Sequence, residues 1–247
     1  MEKRLAATIR FLISCEHGGN RIPQRYRPLF RGFVSLLHSH RGYDKGAMSM
    51  ARELARELSA PLFSATTSRL LIDFNRSIGH PHLYSDATRH ASAAVRREIL
   101  ERYYLPYRNK VEAAIAEEVK QGSQVFHISS HSFAPVLDGQ VRTADIGLLC
   151  DPSRPPEREL CMRWQASLKV LVPDLAVRRN YPYTGKSDGF AAYLRRRFPA
   201  SAYVGIELEI NQKHAIKGGQ PWRTLRSSVL EALHRSLPLT STNCSNN

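Results

Sequence analysis

Short apolar runs and longer segments of helical periodicity take turns along this sequence. Phe11–Ser14, Leu70–Ile72, Val125–Ser129, Ile146–Leu149 and Ala202–Ile210 read as strands. Between them, Gly46–Leu58 carries Ala47, Ala51, Leu54, Ala55 and Leu58 on one helical stripe. His90–Lys120 reads as one or two helices broken at Pro106, where the ring removes a backbone donor. Pro156–Leu171 and Pro221–Leu237 complete the helices, the first with proline in its opening turn. Such alternation predicts an α/β fold on a mainly parallel sheet. No shift in composition marks a linker, so residues 1–239 are read as one domain, and 240–247 as a polar, disordered tail. The 42% hydrophobic content is enough for a sizeable core. No run approaches the roughly 20 apolar residues that span a bilayer. The stretch from Leu5 to Ile13 is broken by Thr8 and Arg10 and is not read as a cleaved signal. Cys15, Cys150, Cys161 and Cys244 form no C-x-x-C pair, which argues against a disulfide framework and for a cytoplasmic setting.

In open α/β sheets, ligands sit beyond the carboxyl ends of the strands. Polar residues directly after a strand are therefore the candidates for chemistry. His17 follows the first strand and precedes Gly18 and Gly19; it suits a metal ligand or the cap of a tight turn. His131 stands in the same relation to the third strand, between Ser130 and Ser132. A catalytic zinc takes three protein ligands and keeps one position open. Asp44 is the choice for the third, with helix capping as its other reading and Glu16 as the fallback ligand. Glu207 and Glu209 lie two apart on one strand, so they share a face. A buried carboxylate pair is costly unless paired or used, and Glu209, nearer the strand end, is the preferred general base. Asn75 and Arg76 follow the second apolar run and offer donors for a substrate carboxylate. Residues 178–186 gather Arg179, Asn180, Tyr183 and Lys186 into a candidate substrate-binding loop. Asp145 either joins the site or caps a turn.

Taken in order, Ser14–Pro23, Tyr43–Ala47, SRLLIDFNR at 68–76, His131–Phe133, NYPYTG at 180–185 and ELEIN at 207–211 make the chain resemble the N-formylglutamate amidohydrolase family over about residues 11–212. That resemblance implies a three-layer α/β/α sandwich with a mixed sheet, similar to the zinc exopeptidases. It implies zinc, or another divalent metal, on His17 and His131, with Asp44 carried over less directly. It also implies Asn75 and Arg76 on the substrate carboxylate and Glu209 activating water. The implied activity is hydrolysis of a small anionic N-acyl amino acid such as N-formyl-L-glutamate, a cytoplasmic step of histidine degradation. One departure is Asn20, where the exopeptidases carry glutamate.

Thirty-six Lys and Arg against 22 Asp and Glu give a net charge of +14. Clusters at Arg96-Arg97, Arg178-Arg179 and Arg195-Arg196-Arg197 read as solvated surface, with binding of nucleic acid or another polyanion as the rival. A second rival, a metallopeptidase or cell-wall amidase on short peptides, shares the chemistry. A serine hydrolase built on Ser130 or Ser132 lacks the G-x-S-x-G elbow.

Overall fold

The computed structural model describes residues 8–237; the expected tail at 240–247, with Cys244, lies outside them. The strands are β1 (Ile9–Cys15), β2 (Leu62–Ser64), β3 (Gln124–Phe133), β4 (Val136–Leu137), β5 (Gln140–Val141), β6 (Ile146–Leu149), β7 (Val177–Arg179) and β8 (Tyr203–Asn211). The α-helices are α1 (Val34–Leu37), α2 (Ala47–Glu57), α3 (Ala93–Ile99), α4 (Leu105–Lys120), α5 (Pro155–Leu171), α6 (Phe190–Arg197), α7 (Gln212–Lys217) and α8 (Gly219–Ser236). Six strands form one sheet in the order β2-β1-β3-β8-β6-β7, and β4 and β5 form a small hairpin. β2, β1, β3 and β8 run parallel; β6 is antiparallel to β8 and parallel to β7. The sheet is thus mixed and mostly parallel, and β8 is central rather than an edge.

Alternation along the strands sends their side chains to two different layers. Ile13, Phe126, Ile128, Val204, Ile206 and Leu208 pack with α2, α5 and α8 around Trp164. Leu12, Val125 and Tyr203 meet Val111 and Ile115 of α4 and Phe190 and Leu194 of α6. Helices on both faces explain why every residue of β8 is buried. Towards the strands' carboxyl ends, that second face changes character: Ser14, His127, Ser129, His131, Glu207 and Glu209 are all buried there.

Three expectations need correction. Leu70–Ile72 is no strand but a turn, buried in a third apolar cluster with Tyr26, Phe30 and Tyr104. A short apolar run fits a buried loop as well as a strand, and the strand in that region is β2. Pro106 does not break the helix. A π-helical turn at Leu100–Tyr104 joins α3 to α4, and Pro106 sits in the first turn of α4, where its missing N–H is tolerated. The run at 195–197 is not all solvated: Arg195 is buried, with Nε 3.0 Å from both carboxylate oxygens of Glu157 and Nη2 donating to the Gly205 carbonyl at 2.8 Å. No helix among the described residues is long and apolar enough to cross a membrane.

Candidate active site

His17 ends the first strand's path, and its carbonyl accepts the Asp44 amide N–H at 2.9 Å. That bond brings the loop before α2 alongside β1. Gly46 makes the turn into α2 at φ +90°, where a Cβ would lie 2.5 Å from the Ala215 Cβ. Asp44 does not cap the helix: no side chain caps α2. Its Oδ2 lies 2.9 Å from His131 Nδ1 and 3.4 Å from His17 Nδ1, and accepts the Ser132 N–H at 3.3 Å. The serines flanking His131 hold the same loop. Ser130 Oγ donates to the Ala47 carbonyl at 3.0 Å and Ser132 Oγ to the Lys45 carbonyl at 2.9 Å. Both are buried tethers rather than nucleophiles.

One ligand-type atom from each of His17, Asp44 and His131 lies within 4.8 Å of the others, and all three residues are buried. The far side of each ring meets a carboxylate. His17 Nε2 is 2.7 Å from Asp73 Oδ1, and Arg69 Nη2 donates to Asp73 Oδ2 at 2.8 Å. His131 Nε2 is 3.2 Å from Glu16 Oε2 and 2.9 Å from Ser129 Oγ; Ser129 and Tyr107 both donate to Glu16. Glu16 therefore stands behind a histidine, not beside Asp44 as an alternative ligand. Carboxylates placed this way fix the tautomer and ring orientation of metal-binding histidines. Burial opposes the ionisation of Asp44 and Asp73. His17 and His131 hold Asp44 well below the usual carboxylate range, and Arg69 and His17 do the same for Asp73. Burial lowers the His131 pKa, but Asp44 and Glu16 outweigh it and carry the ring well above its ordinary value.

Glu209 pairs in register with His131, and Glu207 with Ser129. On the other side of β8, Gly147 lies opposite Glu209. A Cβ there would fall 2.0 Å from the Tyr181 carbonyl oxygen and 3.2 Å from Glu209 Cβ, so glycine is what lets the 180–185 loop close over the carboxylate. Glu209 Oε2 is buried without a hydrogen-bond partner. Burial, with help from Asp44 and Glu207 and against His131, pushes its pKa up to about 8. The Glu207 pKa is raised too, again chiefly by burial.

A cavity of about 230 Å³ collects His17, Asp44, Asn75, Arg76, His131, Tyr183, Glu207 and Glu209 on one wall system. The Asn75 side chain accepts the Phe190 N–H at 2.6 Å, and Arg76 Nη1 donates to the Asp188 carbonyl at 2.8 Å. No carboxylate lies within ion-pair distance of Arg76 among the described residues. Three candidates do not line this cavity. Arg179 is exposed at the end of β7. Lys186 is exposed and lies 3.6 Å from Asp151. Asn180 spends its side-chain oxygen on the Cys150 and Gly185 N–H groups, shaping the turn. Asp145 is occupied elsewhere, by Lys213, His214 and the Ala176 amide. Asp73 follows the Leu70–Ile72 run among the polar candidates but had no role assigned; Arg69, Ser129 and Tyr107 were not expected in the site.

An inward-facing His/Asp/His set, a carboxylate behind each histidine and an unpartnered glutamate oxygen form a donor set that suits a divalent cation. Comparisons with known proteins agree on the fold that carries it. Over 93% of its length the chain superposes on 92% of a gene product from Agrobacterium tumefaciens, with 29% identity and a TM-score of 0.76. It also superposes over 93% of both chains on an N-formylglutamate amidohydrolase from Ralstonia eutropha, with 18% identity and a TM-score of 0.66. No curated protein sequence is significantly similar. The sequence profile of the N-formylglutamate amidohydrolases matches residues 9–215, from β1 into α7 and through every site residue named above. The chain therefore belongs to the N-formylglutamate amidohydrolase family and is a hydrolase of amide bonds.

Proposed function

We propose that this hydrolase is metal-dependent and cleaves the amide of an N-acyl amino acid, with N-formyl-L-glutamate as the reference substrate. The observation that carries the reading is the buried His17–Asp44–His131 set, opening onto one cavity with Glu209 and Arg76. Zinc, or another divalent cation, held by these three residues supplies Lewis acidity towards water and towards the amide carbonyl. Asp73 and Glu16 keep the Nδ1 atoms of both rings turned inward by accepting from Nε2. Arg76 and Asn75 bind the amino acid's carboxylate and fix the scissile bond over the site. Glu209 takes a proton from the attacking water; the water oxygen bonds to the acyl carbon; the C–N bond breaks; Glu209 returns the proton to the leaving nitrogen. Glu207, beside it, faces the same cavity and helps hold that proton by repelling a second charge. The products are formate, or the corresponding carboxylate, and the free amino acid. Residues 1–239 are proposed as a single domain, which the sharing of one sheet by two of the apolar clusters supports.

The test is elemental analysis of the purified protein with formate release from N-formyl-L-glutamate, before and after chelation. Activity lost on chelation and restored by zinc is expected. Full activity in chelated, metal-free protein would overturn metal dependence. The polyanion reading is weakened by Arg195, which is buried against Glu157 and takes no part in an exposed basic cluster, and it predicts salt-sensitive binding to random DNA that this reading does not.

A further inference from the structure

Outside the inner cavity lies a larger one of about 510 Å³. The two share Asp44, Arg69, Ser132 and Tyr183, so Asp44 stands at their junction. With Arg76 and the two glutamates on the inner side, the amino acid half of a substrate occupies the inner cavity and its acyl group faces the outer one. A formyl group is two heavy atoms without charge. It uses almost none of that volume.

The outer chamber has a distinct charge pattern. Four arginines line it. Arg69 is paired with Asp73 and Asp44, and Arg41 and Arg89 share Asp86. Arg142 has no carboxylate within ion-pair distance among the described residues, although Asp138 also lies on the chamber wall. It is half-buried and held in place. Nη1 donates to the Tyr183 hydroxyl at 3.1 Å, and the guanidinium packs 5.1 Å from the Tyr183 ring and 5.8 Å from Phe133. Asn211, at the end of β8, donates to the Arg142 carbonyl at 3.3 Å, tying this arginine to the strand that carries Glu209. Burial, then Arg41, Arg142 and Arg69, depress the pKa of neighbouring His40, which reports the positive field that these side chains make together. An oriented, unpaired guanidinium with donors to spare is a carboxylate site in search of its carboxylate.

We propose that the outer chamber is an acyl subsite in which Arg142 binds a second carboxylate. The preferred substrates are then N-acyl amino acids whose acyl chain is a short dicarboxylic acid, such as succinyl or glutaryl. This rests on the amidohydrolase reading above and uses the same hydrolysis: water adds to the acyl carbon, the C–N bond breaks, and a dicarboxylate and an amino acid leave.

The experiment measures kcat/KM for the formyl, acetyl, succinyl and glutaryl derivatives of L-glutamate at one zinc loading, for the wild type, Arg142→Met and Arg142→Lys. The expected result is at least a tenfold preference for succinyl or glutaryl over acetyl. Arg142→Met should cut that preference tenfold or more, mainly through KM, and Arg142→Lys should restore part of it. A wild type that prefers formyl or acetyl overturns the proposal while leaving the amidohydrolase reading intact. So does an Arg142→Met variant, or an Arg142→Lys variant where the first fails to fold, that loses all four activities in proportion. Hydrolysis of none of the four overturns both readings.

Discussion

Loading the His17–Asp44–His131 set with zinc at pH 7 should release nearly two protons. Metal ligands must give up their protons to bind. His131, carried well above its ordinary pKa between Asp44 and Glu16, holds both ring protons in the metal-free protein and must shed the one on Nδ1. That accounts for about one proton. Glu209, raised to about 8, is about nine-tenths protonated at pH 7, one unit of pKa being a tenfold ratio. Two unit charges 4 Å apart at an effective dielectric constant of 20 interact by about 4 kcal/mol, or roughly 3 pKa units at 1.36 kcal/mol each. A divalent cation held by the triad, lining the same cavity as Glu209, would lower the Glu209 pKa, and full ionisation would add about 0.9 proton. Calorimetric titration of zinc into chelator-stripped protein, in buffers of different ionisation enthalpy, reads the number from the slope. The wild type should give about 1.9 and Glu209→Gln about 1. A slope near zero refutes the reasoning at His131, and equal slopes for the two proteins refute it at Glu209.

The same shifts set the pH dependence of the metal-free protein's stability. His131 and Glu209 both have folded pKa values above their unfolded ones, so protons favour the folded state at both. Buried His127, its folded pKa lowered to about 4, works the other way up to about 6.5, so the chelated protein should lose Tm as pH rises from about 6.5 to 8, and Glu209→Gln should flatten part of that fall, as followed by thermal melts. Asp73→Asn removes the carboxylate that orients His17 and should weaken zinc binding about 10–100-fold in a competition titration. Wild-type affinity in that variant would mean that the His17 ring is oriented without it. Gly46→Ala puts a methyl group against Ala215 at φ +90° and should cost about 1–3 kcal/mol in denaturant unfolding, with zinc affinity falling as Asp44 shifts.

The sequence shows its layers well where a segment has one job. β1, α2, β6, α5, β8 and α8 all follow from their apolar runs or periodicity, because the helices present one apolar stripe and the strands are buried by helices on both faces. It fails where context decides. Leu70–Ile72 is as apolar as a strand but fills the cluster around Tyr104 from a turn. β3 runs four residues past the expected end at Ser129, because serine and histidine do not look like strand until the register with β8 pairs Ser129 with Glu207 and His131 with Glu209. The residues that line the inner cavity and those that do not also divide for a physical reason. His17 follows β1, His131 sits on β3 and Glu207 and Glu209 on β8, whose positions the sheet fixes; Asp44, Asn75, Arg76 and Tyr183 reach the cavity from loops. Arg179, Asn180 and Lys186 sit beside them in sequence on a loop, where direction depends on the turn that Asn180 itself shapes. Asp73 and Glu16 could be read as polar residues near a strand end, but not as partners of particular histidines, because that depends on separations of 56 and 115 residues closing in space.

One face of the sheet explains why these polar residues survive in the interior. From its amino end, Tyr203 hydroxyl, His127 and Ser14 form a chain of 2.7 Å contacts. Burial lowers the His127 pKa to about 4, so the ring is neutral and bonds to an oxygen on each side. Further along the same face, Ser129, Glu16 and His131 form a second linked group, this one charged. A buried polar group costs free energy unless it is hydrogen-bonded, and both groups satisfy that condition internally. Satisfaction stops at Glu209, whose Oε2 has no partner although it is as buried as the rest. Were the face purely structural, this carboxyl would be its least defensible residue, since an apolar side chain of similar size would fill the space without the penalty. Its retention on the cavity wall, beside His131 and Glu207, makes sense if a ligand supplies the missing contact, and a proton acceptor is most useful where nothing in the protein already holds its lone pairs.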